Sequence, residues 1–275
     1  MRGAAVLVTG ATDGIGRHTA TRLAAAGVRV LLHGRTLEKA SAAADAVAAE
    51  AAEDLEHLPV PVGGDLSSVD GALEVARCVE KAGGCDVLVN NAGVFYEGPR
   101  RLSRDGFELT WAVNVLSPFV LTRALLATGS VRRHIVNVAS ISASGDFPWD
   151  DLQLERDYNG HRAYSLSKLA SIAYTLGLAR HLREEGSEVA TNCLDPGTVD
   201  TKMLRAGWNC YGIPVEMAGD EFWLVTDAEA SKQSGQYFVS RRAASPPRAA
   251  QDPDSQDRLW AVLEGQAEQF CSASD

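Results

Sequence analysis

Cysteine is sparse and unpatterned in this chain. The five residues Cys78, Cys85, Cys193, Cys210 and Cys271 are odd in number, widely spaced and without a CxxC pair. Neither a disulfide framework nor a zinc site is expected, no metal is assigned, and the cysteines read as reduced thiols. Basic residues are also in deficit: 26 Lys and Arg stand against 36 Asp and Glu, a formal charge of -10. The arginine pairs Arg100/Arg101, Arg132/Arg133 and Arg241/Arg242 are scattered rather than gathered into a stripe, so nucleic acid is not an expected partner. Long apolar runs are missing too. Residues 28–32 and 87–89 fall far short of the ~20 needed to span a bilayer, and no basic-then-apolar leader precedes the first strand pattern. The expectation is a soluble, cytoplasmic protein with no membrane partner.

What is present suits a single α/β domain. Of 275 residues, 45% are hydrophobic and 23% charged, which can bury a sizeable core and excludes a disordered chain. Strand patterns at 4–8, 28–32, 59–62 and 87–90 alternate with helical spacing at 15–26, 37–55 and 69–81, the signature of a parallel sheet covered on both faces. Ser67 followed by Asp70 reads as a capping box for the third helix. Further helices are predicted at 105–127 and 163–183, and further strands at 135–138, 188–193 and 236–239, giving seven. Residues 1–242 form this domain. The remainder, 243–275, is read as part of it: an exposed linker to about 254, then an amphipathic helix at 256–270 with Trp260, Leu263 and Phe270 on one face.

Residues 9–16 read TGATDGIG, between the first strand and the first helix. Glycines there let the backbone turn sharply and approach a pyrophosphate, and the helix N-terminus attracts the anion. Gly10, Thr12, Asp13, Gly14, Ile15 and Gly16 are the candidate contacts, although a mere tight turn has the same composition. At the end of the second strand, His33-Gly34-Arg35-Thr36 holds no carboxylate for a free ribose. Arg35 instead suits a 2'-phosphate, which makes NADP(H) the preferred cofactor over NAD(H); a plain surface arginine is the other reading. Arg17 is either a second phosphate contact or a solvated side chain.

Tyr164 and Lys168 lie four apart on a predicted helix and project from one face. A cation favours phenolate, and a tyrosine with a lowered pKa can exchange a proton with a substrate oxygen. About 0.1 such pairs are expected by chance in a chain of this composition. Ser140 ends the fifth strand pattern, at the sheet edge where doubly wound folds place ligands. Ser142 and Ser144 compete with it.

The motifs TGATDGIG, Asp65-Leu66, Asn90-Asn-Ala-Gly93, Asn114 in AVNVL, Ser140, Tyr164-x-x-x-Lys168 and Asp195-Pro-Gly-Thr198 occur in one order across roughly residues 4–240. In this the chain resembles the short-chain dehydrogenases/reductases. The resemblance implies a Rossmann-type, doubly wound, seven-stranded, mainly parallel sheet, and an NADP-dependent enzyme passing a hydride between nicotinamide and a small-molecule carbonyl or alcohol. By it Tyr164 is the general acid/base, Ser140 holds the substrate oxygen, Lys168 binds the nicotinamide ribose and tunes Tyr164, and Asn114 holds a relay water. By it too, Asp65 and Leu66 meet the adenine, Asn91, Ala92 and Gly93 line the adenosine ribose, and Pro196, Gly197, Val199 and Thr201 cover the nicotinamide. Relatives often assemble as homodimers or homotetramers.

The 24 positions from Ser140 to Tyr164 exceed the usual separation, so 141–163 is an insertion; with Asp105-Gly-Phe-Glu108 this is similar to the retinol-dehydrogenase-like branch. Trp149 and Tyr158 in the insertion line the cleft or belong to a solvated flap. Residues 202–222 fall where the family has its substrate lid. The apolar Met203, Leu204, Trp208, Tyr211, Ile213, Met217 and Phe222 there argue for a hydrophobic substrate, unless they simply pack the lid. Two competing functions remain: a nucleotide-sugar epimerase or dehydratase, disfavoured by Arg35 and the lack of a larger C-terminal domain, and a non-catalytic NADP-binding regulator, disfavoured by the retained Tyr164 and Lys168.

Overall fold

Strands that read as continuous apolar runs are buried on both faces. All four residues of β1 (Ala5–Val8) are buried, as are five of the six in β2 (Arg29–Gly34). The computed structural model describes residues 1–51 and 55–271. After β1 come α1 (Gly14–Ala25), β2, α2 (Leu37–Ala51), β3 (Val60–Gly63), α3 (Val69–Lys81) and β4 (Cys85–Asn90). The second half holds α4 (Leu109–Trp111), a π turn (Ala112–Leu116), α5 (Ser117–Ala127), β5 (Val131–Val138), α6 (Gly160–Glu184) and β6 (Ala190–Asp195). It ends with α7 (Lys202–Trp208), α8 (Asp220–Thr226), β7 (Gln236–Val239), β8 (Arg242–Ala244), α9 (Arg248–Gln251) and α10 (Pro253–Cys271).

The strand order is β3-β2-β1-β4-β5-β6-β7-β8, with β1 to β7 parallel and β8 antiparallel to β7. One apolar layer joins the sheet to α3, α5, α6 and α10; the other joins it to α1, α2 and α8. The order reverses between β1 and β4, and a crevice opens at the carboxyl ends of strands on either side of such a reversal.

Several expectations are corrected. The sheet has eight strands, because Ser240 and Arg241 adopt φ of +49° and +62° and turn the chain into a hairpin without the Gly or Asn that usually marks one. Ser68, not Ser67, caps α3: its hydroxyl accepts from the Gly71 N–H at 3.2 Å. Residues 105–108 are not helical. The Asp105 carboxylate accepts from the Val69 N–H at 2.7 Å, adding a second cap to α3, and Glu108 caps α4 by accepting from Trp111 N–H at 2.7 Å. The segment expected as an exposed linker carries β8 and α9, with Ala250 fully buried. The second helix ends at Ala51; the part predicted at 52–54 lies outside the described residues, as does the Cys271 side chain.

Contrary to the expectation from unbroken apolar runs, the continuous helical segment Leu109–Ala127 is long and apolar enough to cross a membrane; it lies mostly buried in the core. Against it packs α10. Trp260 meets Phe119 edge-on at 5.3 Å between ring centres and stacks on Tyr174 at 6.0 Å, Leu259 and Leu263 are fully buried, and Phe270 meets Phe107. The apolar face predicted for this helix therefore packs on the body.

His134 on β5 is almost wholly enclosed. Gln236 N–H donates to Asn192 Oδ1, which fixes the amide so that Nδ2 donates to His134 Nε2 at 3.0 Å. Burial pushes this histidine down to about 4. Between pH 4 and 6.5 the unfolded chain therefore binds a proton that the folded chain refuses, and stability falls as pH drops through that window. At pH 5 the loss attributable to this residue is about 2 kcal/mol. His134→Gln, which keeps an acceptor for Asn192, should narrow the gap between urea unfolding free energies at pH 7 and pH 5 by that amount. An unchanged gap would show that the imidazole is not held neutral.

Candidate active site

Between the end of β1 and the start of α1 the chain must reverse while leaving the first amides of α1 free. Gly10 and Gly14 take φ of +63° and +56°, a region costly for residues with a Cβ. Space is equally restrictive: a Cβ on Gly10 would lie 2.8 Å from Ala92 Cα, and one on Gly16 would collide with Asn91 Nδ2. The turn is tied to the end of β4. Asn91 Nδ2 donates to the carbonyls of Thr9 at 2.6 Å and Gly10 at 3.2 Å, and the Ala92 N–H donates to Thr9 Oγ1 at 3.0 Å. His33 of β2 ties the same turn to the second strand. Its Nε2 faces the Gly64 carbonyl at 2.9 Å and must donate, and burial lowers its pKa, so Nδ1 stays free to accept from Gly10 N–H at 3.0 Å. Asp13 caps α1 by accepting from Gly14 N–H and pairs with Lys202 of α7, whose hydrogen bond holds the carboxyl below its usual range.

Beside this turn lies a cavity of about 510 Å³. Gly10, Thr12, Asp13, Gly14, Ile15 and Gly16 line it, together with Arg35, Asp65 and Leu66. So do Asn91, Ala92, Gly93, Tyr164, Lys168, Pro196 and Thr201. Gly197 and Val199 line instead a second chamber of about 290 Å³, which also holds Ser140 and shares Ile15, Tyr164, Pro196 and Thr201 with the first. Glycine backbone, a helix N-terminus and an elongated cleft fit a dinucleotide. Arg35 is exposed on the cavity rim, and no acid among the described residues pairs with it. Arg17 is different. It pairs with Glu50 of α2 and does not line the cavity, so the reading of it as a second phosphate contact is withdrawn.

Tyr164 is buried where the two chambers meet, within hydrogen-bonding reach of Ser140. Ser140 sits just past β5, and its hydroxyl also accepts from the Ser142 N–H at 3.1 Å. Ser144 is removed from contention by its hydrogen bond to Ser165 at 2.9 Å. The Lys168 ammonium donates to the Val138 carbonyl at 2.6 Å and lies 5.5 Å from the centre of the Tyr164 ring. Burial pushes Tyr164 up to about 12, with the Ser140 hydrogen bond acting the other way, and pushes Lys168 down to about 8. The net direction at Tyr164 is therefore upward, with desolvation as the leading cause, rather than the lowering expected from Lys168.

Asn114 is buried in the π turn and lines neither chamber. Its Oδ1 accepts from Val94 N–H at 2.8 Å, and its Nδ2 donates to the Val94 carbonyl and to Ser167 Oγ, each at 3.0 Å. In this structure it clamps the strap after β4. Beside it is a space of about 10 Å³, the size of one water.

The insertion is neither a solvated flap nor, at its aromatics, a cleft wall. Tyr158 donates to Glu108 at 3.2 Å, Trp149 stacks on Phe147 with Arg258 over its ring, and Leu152 and Leu154 are buried. Only its first residues, Ile141 and Ser142, reach the second chamber. Phe95, which no motif flagged, packs against Tyr164, His161 and Trp208.

A family model for short chain dehydrogenases matches residues 4–209. Retinol dehydrogenase 14 of Homo sapiens is 34% identical over 96% of this chain and 86% of its own length. Polyprenol dehydrogenase of Mus musculus is 35% identical over 94% of this chain and 82% of its own. Among solved structures, a short chain dehydrogenase from Burkholderia cenocepacia J2315 in complex with NADP is similar at a TM-score of 0.65 and 27% identity, covering 86% of this chain and 96% of that one. The chain therefore belongs to the short-chain dehydrogenases, nicotinamide-dependent oxidoreductases acting on CH–OH or C=O groups, and within them to the retinol-dehydrogenase-like branch.

Proposed function

We propose that this protein reduces an apolar aldehyde or ketone with NADPH, and runs the reverse oxidation, with Tyr164 as the proton donor and acceptor. The observation that carries the reading is the meeting of Tyr164 and Ser140 at the seam between the dinucleotide-shaped cavity and the smaller chamber. When bound, the nicotinamide supplies or accepts the hydride. Ser140 orients the substrate oxygen toward the phenol, and Tyr164 gives its proton to that oxygen. A phenol that holds its proton at neutral pH is in the form that donation to a carbonyl oxygen requires. Lys168 keeps a positive charge beside the phenolate left behind.

Met203, Leu204, Trp208, Val199 and Ile141 make the smaller chamber mostly apolar, with α7 as its lid. The retinol and polyprenol named in the relatives are of the matching chemical class. Arg35, at the β2 end with no carboxylate beside it, supports NADP(H) over NAD(H).

Tyr164→Phe should cut turnover by about 10²- to 10⁴-fold, the usual worth of a general acid, while NADPH still raises the melting temperature as in the wild type. Full activity in that variant would remove Tyr164 from the chemistry. Arg35→Asp should weaken NADPH binding by roughly 100-fold, as expected for losing a charge-assisted bidentate contact, and leave NADH binding almost unmoved. Equal effects on both cofactors in a calorimetric titration would show that Arg35 does not read the 2'-phosphate.

A further inference from the structure

Trp208 is the last residue of α7, and Asn209 ends that helix at once in the left-handed region, at φ +46°. Its indole joins three other rings carried by two different segments. Ring centres lie 5.3 Å from Tyr164, 5.0 Å from Phe95 and 5.3 Å from His161, and Phe95 in turn lies 5.0 Å from His161 and 5.9 Å from Tyr164. Gly207 is what allows α7 to come this close, since a Cβ there would lie 3.0 Å from two carbons of the Phe95 ring.

The indole also has a different cavity on each side. Inward is the 290 Å³ chamber with Ser140, Tyr164, Met203 and Leu204. Outward is a groove of about 600 Å³ with a different character, bordered by Ser144, Asp146, His161, Arg162 and Ser165. Among the described residues, only Trp208 and Ser142 border both. Pockets that take drug-sized ligands run from about 300 to 1,000 Å³, so the inner chamber alone sits at the bottom of that range, whereas the two joined would fall well inside it.

Resting on the carbonyl-reductase reading above, we propose that Trp208 is the specificity-determining residue of this enzyme, a partition that sets how far a substrate can extend beyond its carbonyl. A short or compact apolar substrate is held within the inner chamber, which Tyr164 and the indole both wall. A longer one has to pass the indole, and its far end emerges into the polar groove beside His161 and Arg162. The same edge-on ring contact that orients Tyr164 thus defines the outer wall of the substrate site.

The test is a series of straight-chain aldehydes from butanal to dodecanal, reduced with NADPH by the wild type, Trp208→Ala and Trp208→Phe, each variant first matched to the wild type in NADPH-induced thermal stabilisation. The informative quantity is the ratio of kcat/KM for dodecanal to that for butanal, which a loss of folding or of cofactor binding does not move. Each methylene newly buried is worth about fourfold, so opening the partition in Trp208→Ala should raise the ratio at least tenfold. Trp208→Phe, which keeps an aromatic wall, should hold the ratio within about threefold of the wild type, less than the worth of one methylene. A ratio unchanged in Trp208→Ala, with the wild type active, would overturn the partition and leave the enzymatic reading standing. No turnover of any aldehyde or of the matching alcohols by the wild type would overturn the enzymatic reading itself.

Discussion

The contact between the β1–α1 turn and the end of β4 is the constraint on which the rest of the site depends. Gly10 lies against Ala92 with no room for a Cβ, three hydrogen bonds from Asn91 and Ala92 bind the two loops into one edge, and the Gly10 N–H ties that edge to His33 of β2. These are backbone groups that a parallel sheet leaves unpaired where its strands end, and burying them unpaired would cost about 1 to 3 kcal/mol each. Satisfying them with Asn91, Thr9 and His33 removes that cost. Gly14, Ile15 and Gly16, the first turn of α1, thereby line the cavity, which puts a helix N-terminus where a pyrophosphate would sit. Asp13 then extends the same turn outward, since its ion pair to Lys202 links the phosphate end of the cleft to the first residue of α7.

Much of this was legible in the sequence because it rests on residues with few alternatives. A glycine at a positive φ, an acid or arginine at the end of β2, and a Tyr and Lys one helical turn apart carry their chemistry in their identity and spacing, and the structure brings them to one cavity. His33 was not legible. Its role depends on burial and on which nitrogen faces Gly64, and neither has a one-dimensional signal. Nor was β8, whose turn uses Ser240 and Arg241 at positive φ in place of glycine or asparagine. The start of α4 was misplaced for a related reason. Asp105 looks like a helix-opening acid but is spent on the N-terminus of α3, 36 residues back along the chain. Phe95 and His161 look ordinary in sequence and matter only because α7 folds over them.

The α10 helix bears on assembly. It covers the faces of α5 and α6 with Leu259, Trp260 and Leu263, and ion pairs from Arg180 to Asp257 and from Arg123 to Glu264 fix its register. A second copy approaching that side would meet the polar back of α10 rather than the apolar faces beneath it.

Charge at the catalytic centre is balanced by burial rather than by tight pairing. Lys168 gives its hydrogen bond to a neutral carbonyl, and its nearest electrostatic partners, Glu221 and Asp195, act on it without a direct contact. Glu221 is itself enclosed, accepts one hydrogen bond from Thr19 at 3.1 Å, and is pushed up toward neutrality. Tyr164 is held in its neutral form by the same desolvation. Lowered only to about 8, Lys168 still stays mostly charged at neutral pH despite its full enclosure. A charged ammonium 5.5 Å from the centre of the Tyr164 ring favours phenolate there, against the desolvation that keeps the proton on the phenol, so the two effects of burial and charge oppose each other at one hydroxyl.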